Sequence, residues 1–335
     1  MTLASSPATH EGGASAVAGT SPFAVVVLDI GGTKIGGAVV RYAARDARPE
    51  VALHKAVPTE ASRGGEHVTR LACDFARELV GAARGLDDET PVVGVGVGTA
   101  GRVNAETGSI AYANDIMPGW TGQPLGERLH HACALPVAVM NDVHAHALGE
   151  ARHGAAARTK ACIMVAVGTG LGGAFLYEGR IMGGAHGFAG ELGCSLHPAA
   201  ANVSCEGGIT GRLESVASGS GIERCYRAGG GEDLTGAQIS ERAAAGERLA
   251  TRVIEQAGRA LGESIVSWAN MFDPETVVLS GSVCGSGEVW SAALRAGMES
   301  QMTDAVTGLR VVRAALGDEA PLIGAAENLL DKIGM

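Results

Sequence analysis

The chain has 335 residues, more than one ordinary core requires, so two lobes are expected. Hydrophobic residues make up 46% of it, enough to fold, while aromatics at 4% and 51 glycines favour tight turns over bulky packing. A net charge of −10 with no long basic run argues against a dedicated nucleic-acid surface, and no apolar run is long enough to span a bilayer.

Residues 1–22 are small and polar without the apolar stretch of a leader, and are expected to form a disordered tail. Seven cysteines at scattered spacing suit reduced thiols and a cytoplasmic location better than a disulfide framework. Phe23–Leu28 is a strand by composition; it runs into Asp29-Ile30-Gly31-Gly32-Thr33-Lys34, and Ile35–Val40 resumes as strand. This is a strand, a glycine turn and a strand, with an aspartate closing the first strand. No helix follows the turn directly, so a dinucleotide fingerprint does not apply.

His67–Ala83 carries Val68, Leu71, Phe75 and Leu79 at helical spacing, a core-facing stripe. Pro91–Gly98 is a strand with glycine at every second position from Gly94, which predicts close backbone packing on one face. Thr99–Asn104 is a polar turn, Asn114–Trp120 a loop, and Leu125–His131 a helix. Pro136–Met140 is a short strand ending at Asn141-Asp142, and His144–Arg152 continues as helix. A carboxylate at the carboxyl end of a strand is where open α/β sheets place their chemistry, although an aspartate there also serves as a plain helix cap. His144 and His146 read as packing residues, since no third metal ligand stands near them.

Ile163–Val167 is an apolar, β-branched run that feeds Gly168-Thr169-Gly170-Leu171-Gly172-Gly173, and Ala174–Tyr177 reads as the returning strand. Bare amides in such a hairpin can close on an oxyanion, though a hairpin without a ligand has the same pattern. Glu191 and Glu214 then bracket a polar, cysteine-bearing segment. Arg248–Asn270 presents Leu249, Val253, Ala257, Leu261 and Ile265 on one face, a long buried helix. Thr276–Leu279 is a strand ending in a third glycine turn, Ser280-Gly281-Ser282-Val283; Leu309–Arg313 is a last strand and Leu322–Ile333 a terminal helix. The whole is α/β in two lobes, the second larger, with no close tandem repeat.

These parts together ask for phosphoryl transfer. Two glycine hairpins can hold β- and γ-phosphates, Asp29 can orient Mg²⁺ through water, and the Thr169 hydroxyl can meet a phosphate. Gly281 can leave bare backbone for a nucleotide, and Asp142 can accept the proton of an attacking hydroxyl. Such transfer needs positioning, charge neutralisation and one base within reach of the nucleophile.

On these residues the chain resembles the ROK family of sugar kinases, within the superfamily of actin and hexokinase, from about Phe23 to its end. DIGGTK at 29–34 is similar to the first phosphate motif and GTGLGG at 168–173 to the second. PETVVLSGSV at 274–283 is similar to the adenosine motif and PLIGAA at 321–326 to the terminal-helix signature. The resemblance implies a two-lobed actin-like ATPase fold of the ribonuclease H type, with mixed sheets flanked by helices and the active site in the cleft between lobes. It sets the lobes at 23–146, joined by a helix at about 318–335, and 147–317. It also implies ATP-dependent phosphorylation of the primary (6-) hydroxyl of a hexose or N-acylhexosamine, of the glucose or N-acetylmannosamine type.

By the same resemblance Asn141 binds sugar, Asp142 is the catalytic base, and Glu191 and Glu214 grip sugar hydroxyls. Gly101 and Arg102 lie in the substrate loop, whose GRVN is similar to that of N-acetylmannosamine kinases; Asn114 and Cys194 complete the sugar set. Asp29, Gly31, Gly32, Thr33, Lys34, Thr169, Gly170 and Gly281 serve ATP and Mg²⁺. A homodimer is implied. One departure stands out. The family writes Glu-x-Gly-His and then Cys-x-Cys-Gly-x-x-Gly-Cys-x-Glu around a structural zinc, and here those positions hold Cys194, Cys205, Gly207 and Arg212. Zinc is therefore expected to be absent, with Cys194, His197 and Cys205 the only alternative set. ROK repressors share the fold but carry a DNA-binding domain, for which the residues before the first strand are too few. A catalytically silent sugar-binding protein would not need both phosphate hairpins, Asp142 and both glutamates.

Overall fold

The computed structural model describes residues 21–86, 89–113, 117–205 and 208–335; the expected tail, but for its last two residues, and Asn114 lie outside them. In the first lobe, β1 (Phe23–Ile30), β2 (Lys34–Tyr42) and β3 (Glu50–Pro58) form an antiparallel meander, and α1 (Gly65–Leu86) leads to β4 (Val92–Thr99). A small ribbon of β5 (Arg102–Val103) and β6 (Ile110–Tyr112) follows, then α2 (Leu125–Cys133) and β7 (Val137–Asn141). The sheet order is β3-β2-β1-β4-β7, with β1, β4 and β7 parallel.

Helix α3 (Asp142–His153) crosses to the second lobe, where β8 (Ala161–Val167), β9 (Leu171–Tyr177) and β10 (Arg180–Ile181) repeat the meander. Helices α4 (Glu214–Ala217), α5 (Gly219–Ala228), α6 (Gly236–Ala244) and α7 (Arg248–Phe272) precede β11 (Thr276–Ser280). Helix α8 (Glu288–Gln301), β12 (Arg310–Arg313) and α9 (Ala320–Ile333) complete the chain. The order here is β10-β9-β8-β11-β12, with β8, β11 and β12 parallel. The two lobes thus share one topology, meander then parallel strands, a duplication that the separate glycine hairpins only hinted at.

Each lobe has its own core. Val26, Leu28, Val95 and Val97 pack on Phe75 and Leu79 of α1, while Ile163, Val165 and Val277 pack on Ile254, Leu261 and Ile265 of α7. The lobes meet at α3 and α9, which cross closely enough that a side chain at Gly324 would collide with the Ala145 carbonyl. Helix α9 also lies along β4, where a Cβ at Gly94 or Gly96 would strike Leu329 or the Ala325 backbone. The alternating glycines of β4 are the bed of that helix. Glu150, 1% exposed, fixes the far end of α3 by accepting the amides of Ala155, Ala315 and Leu316 at 2.7–3.0 Å. Three amides satisfy a carboxylate that burial alone would penalise.

Candidate active site

The parallel strands of the first lobe deliver three polar residues to one rim. Asp29 on β1 pairs with Gly98 on β4, and Gly98 with Met140 on β7, one residue before Asn141. Gly98 is the third alternating glycine. A Cβ there would press on Ala145 Cβ at 3.3 Å and touch Asp29 Oδ1 at 3.7 Å and Asp142 Cα at 3.8 Å, so bare backbone lets the start of α3 lie against β4 beside Asp29.

Asn141, not Asp142, caps α3: its Oδ1 accepts the amides of Val143 at 2.9 Å and His144 at 3.2 Å. Its Nδ2 donates to the Gly101 carbonyl at 3.0 Å, which ties the loop after β4 to the helix and leaves the second amide hydrogen outside that bond. Asp142 is thereby released from capping and occupies the first helical position, where its Oδ1 accepts the Val143 amide at 2.9 Å. Burial pushes its carboxyl up to about 6, with the like charge of Asp29 adding to the rise; the helix amides and Asn141 offset part of it. Asp29 is likewise raised, first by burial and then by Asp318, with Lys34 opposing.

In the second lobe the turn after β8 is tied to the start of α5, where Gly219 and Ser220 donate to the carbonyls of Gly168 at 2.8 Å and Thr169 at 3.1 Å. Glu214 accepts the Leu171 amide at 2.9 Å, so one sugar-gripping candidate is built onto this turn. Glu191 is raised by desolvation against the pocket walls, then by Glu214 and Asp142, with Arg212 opposing. Asp29, Asp142, Glu191 and Glu214 form a line of carboxylates in electrostatic contact.

Two cavities meet at Gly168. The first, about 780 Å³, lies between the lobes and is lined by Gly101, Arg102, Asn141, Gly170, Glu191 and Glu214 among others. The second, about 640 Å³, is lined by Thr169, Ser220, Glu223, Ser240, Glu241 and Ser282 among others. Asp29, Gly31, Gly32, Thr33, Lys34, Asp142, Cys194 and Gly281 line neither wall. The first turn is held by its own bonds, Gly31 N to the Lys34 carbonyl at 3.1 Å and Thr59 Oγ1 to the Gly31 carbonyl at 2.7 Å. Gly281 is glycine for a structural reason: φ is +93° and a Cβ would run into the Val167 carbonyl, so the lining begins one residue later.

The residues at the family's zinc positions do not fit zinc. Cys194 is exposed and Cys205 buried, and Arg212 brings a positive charge within electrostatic reach of Cys194; Gly207 lies outside the described residues. His197 has no lone pair to give: its Nδ1 accepts the Ala199 amide at 3.2 Å, which puts the proton on Nε2, 3.1 Å from Glu263. Among the described residues, no three His, Cys, Asp or Glu side chains gather as a metal site. Instead α7 holds the loop, with Glu263 on His197, Gln256 Nε2 on the Ala199 carbonyl at 3.3 Å and Trp268 Nε1 on Ser195 Oγ at 3.1 Å.

Sequence reasoning missed two parts of this region. One is the loop from Met182 to Gly190, whose Phe188 stands out as an aromatic among glycines; the other is Glu263, an unremarkable polar position on α7.

Two lobes of one topology, crossed by α3 and α9, with glycine turns and strand-end carboxylates between them, define an actin-like ATPase fold. The chain belongs to the ROK family, whose model matches residues 25–332. It is 30% identical over 323 residues to a glucokinase of Halalkalibacterium halodurans, covering 90% of this chain and 96% of that protein. The ROK hexokinase structure from Thermus thermophilus superposes with a TM-score of 0.78 at 31% identity, covering 93% of this chain and 99% of that one. A ROK family glucokinase from Streptomyces griseus in complex with glucose and AMPPNP gives 0.71 at 28%, covering 91% and 98%. Among the described residues, no helix is long and apolar enough to cross a membrane.

Proposed function

We propose that this chain transfers the γ-phosphoryl group of ATP to the primary (6-) hydroxyl of a hexose or N-acylhexosamine, with Asp142 as general base. It is an ATP-dependent sugar kinase, and its working form is a homodimer, as the family resemblance implies. The observation that carries this reading is the state of Asp142: half-buried in the field of Asp29, freed from capping by Asn141 and held with a raised proton affinity. A carboxylate kept like this is suited to take a proton as charge develops on a sugar oxygen.

Gly101, Arg102, Asn141, Glu191 and Glu214 bind and orient the sugar so that its primary hydroxyl faces Asp142. The proton passes to the Asp142 carboxylate, the hydroxyl oxygen bonds to the γ-phosphorus, and the bond from that phosphorus to the β-phosphate oxygen breaks. Asp29, a half-buried acid at a strand end with no bonded cation among the described residues, fits a hydrated Mg²⁺, which would supply charge neutralisation on the phosphates. Thr169 and the turn amides hold phosphate oxygens. The second cavity supports a nucleotide over an inorganic polyphosphate as donor: its lining holds no Lys, Arg or His and includes Glu223 and Glu241, poor company for a long polyanion.

Coupled ADP release, measured across glucose, mannose, fructose, N-acetylglucosamine and N-acetylmannosamine with ATP or polyphosphate, tests the reading. Turnover with ATP on at least one of these sugars is expected. Sugar binding without any turnover would overturn it in favour of a sugar-responsive regulator or a silent binding protein.

A further inference from the structure

Arg102 starts β5 in the first lobe, yet its side chain is held by the second. Its Nη1 donates to the His186 carbonyl at 3.3 Å, and its guanidinium carbon stands 4.0 Å from the centre of the Phe188 ring. Gly187, between them, has φ +71° and comes so close that a Cβ would lie 3.6 Å from Arg102 Cγ and Cδ. A side chain there would meet backbone strain, while its Cβ would make only an ordinary contact with the arginine stem. Phe188 is 47% exposed, an aromatic ring on a glycine-rich loop that no core requires. Arg102 Nε is buried without a hydrogen-bond partner among the described residues, which leaves that donor open.

The loop is also tied to the rest of the cleft. The Phe188 carbonyl accepts the Glu191 amide at 3.3 Å, Ala189 N reaches the Gly183 carbonyl at 3.3 Å, and Gly190 is pressed against Gly173 and Ala174 of β9. One short segment therefore contacts Arg102 from one lobe and Glu191 from the other, on the two sides of the first cavity.

We propose that Phe188 is a positioning residue: with the His186 carbonyl it clasps Arg102 and makes residues 182–190 a lid over the sugar end of the cleft. This rests on the sugar-kinase reading above, with Arg102 as a sugar-binding residue. The clasp holds the arginine in place before sugar arrives, and the loop passes the same restraint to Glu191. A guanidinium that is not fully desolvated on an aromatic face shifts an equilibrium by roughly two- to fivefold, which sets the scale of the effect.

The test is a pair of substitutions and their combination. Phe188→Ala raises KM for sugar by about two- to fivefold while kcat and KM for ATP stay within about twofold. Phe188→Tyr, which keeps the ring face, retains the parent value, and Phe188→Leu, apolar but without that face, behaves as Phe188→Ala. Arg102→Ala weakens sugar about ten- to a hundredfold, and adding Phe188→Ala to it changes nothing further, because Phe188 acts only through Arg102. A Phe188→Ala effect that persists in full without Arg102, or a Phe188→Leu protein equal to the parent, overturns the clasp. If the parent protein turns over no sugar, the kinase reading fails by itself. The clasp then stands or falls on amide hydrogen exchange of 182–190 without ligand: faster in Arg102→Ala supports it, and unchanged exchange overturns it.

Discussion

Two carboxylates on the crossing helices, one wholly buried and one half-buried, meet opposite treatment. Glu327 on α9 is wholly buried at the junction, where Tyr42 Oη at 2.9 Å, Arg152 Nη1 at 2.8 Å, His153 Nε2 at 2.9 Å and Arg45 Nη1 at 3.0 Å surround it. Burial pushes its carboxyl up, but the bonds from His153 and Arg152, the charge of Arg45 and the Tyr42 hydroxyl outweigh that and hold it at about 2. Among the described residues no cation pairs with Asp142 on α3, and the like charge of Asp29 adds to the cost of desolvation, so the value rises to about 6. The first arrangement fastens the lobes together. The second leaves charge uncompensated where a substrate's proton and a metal's charge would complete it.

Removing the uncompensated acid is expected to have the largest effect. Asp142→Asn keeps the shape and loses the proton acceptor, so kcat falls about 10²–10⁴-fold while sugar affinity changes far less. Stability moves the other way. A carboxyl whose folded value lies above its unfolded one is penalised when ionised, so the penalty is present above about pH 6 and gone below about pH 4. Asp142→Asn is therefore more resistant to urea than the parent at pH 8, by on the order of 1–3 kcal/mol, and no more resistant at pH 4. The parent's kcat/KM for sugar falls on the acid side of about pH 6 as Asp142 gains its proton. Near-normal turnover by the variant would make Asp142 a structural residue only.

Breaking the compensated acid should do the reverse. Glu327→Gln leaves Arg152 and Arg45 facing a neutral group and is expected to cost about 3 kcal/mol in urea unfolding, with kcat far less affected than in Asp142→Asn. The folded value of about 2 lies below the unfolded one, so the Glu327 contribution is complete at neutral pH and is lost as the solution is acidified through the unfolded value toward pH 2. Equal unfolding curves for parent and variant at pH 7 would mean that the network is not what joins the helices.

The contrast explains what could be read from the chain and what could not. The glycine hairpins and the acids at strand ends are local patterns, so Asp29, Asp142 and the turns were visible as candidate chemistry. Which of Asn141 and Asp142 caps α3 was not, because both residue types cap well and only the register of the helix start decides. Strand β3 escaped because Lys55 interrupts the alternation of Val51, Leu53 and Val57; it is an edge strand held by pairing with β2. The shared topology of the lobes is a matter of strand order, which residue similarity need not preserve. The Glu327 network joins residues up to 285 positions apart and the Arg102 clasp joins opposite lobes, so neither leaves a spacing to find.

The smallest expected effect is none at all, and it concerns the loop that carries the cleft's remaining acids. In place of four metal ligands the loop from Ser195 to Leu213 has a histidine between an amide and a carboxylate, an indole on a serine and a carboxamide on a carbonyl, all reaching to or from α7. Its ends are further closed by Leu213 N on the Ser195 carbonyl at 2.8 Å and His197 N on the Gly211 carbonyl at 2.9 Å. For zinc to bind, His197 would have to give up either the Ala199 amide or Glu263, and the Arg212 guanidinium would have to leave the neighbourhood of the ion. Protein purified without chelator is expected to hold sub-stoichiometric zinc, and a zinc-selective chelator should leave both turnover and melting temperature unchanged. Glu263→Leu, by contrast, is expected to raise KM for sugar and lower the melting temperature, because it unties His197 from α7 and loosens the segment between Glu191 and Glu214. One zinc per chain, lost together with activity on chelation, would show that the thiols are ligands after all and that α7 only supports them.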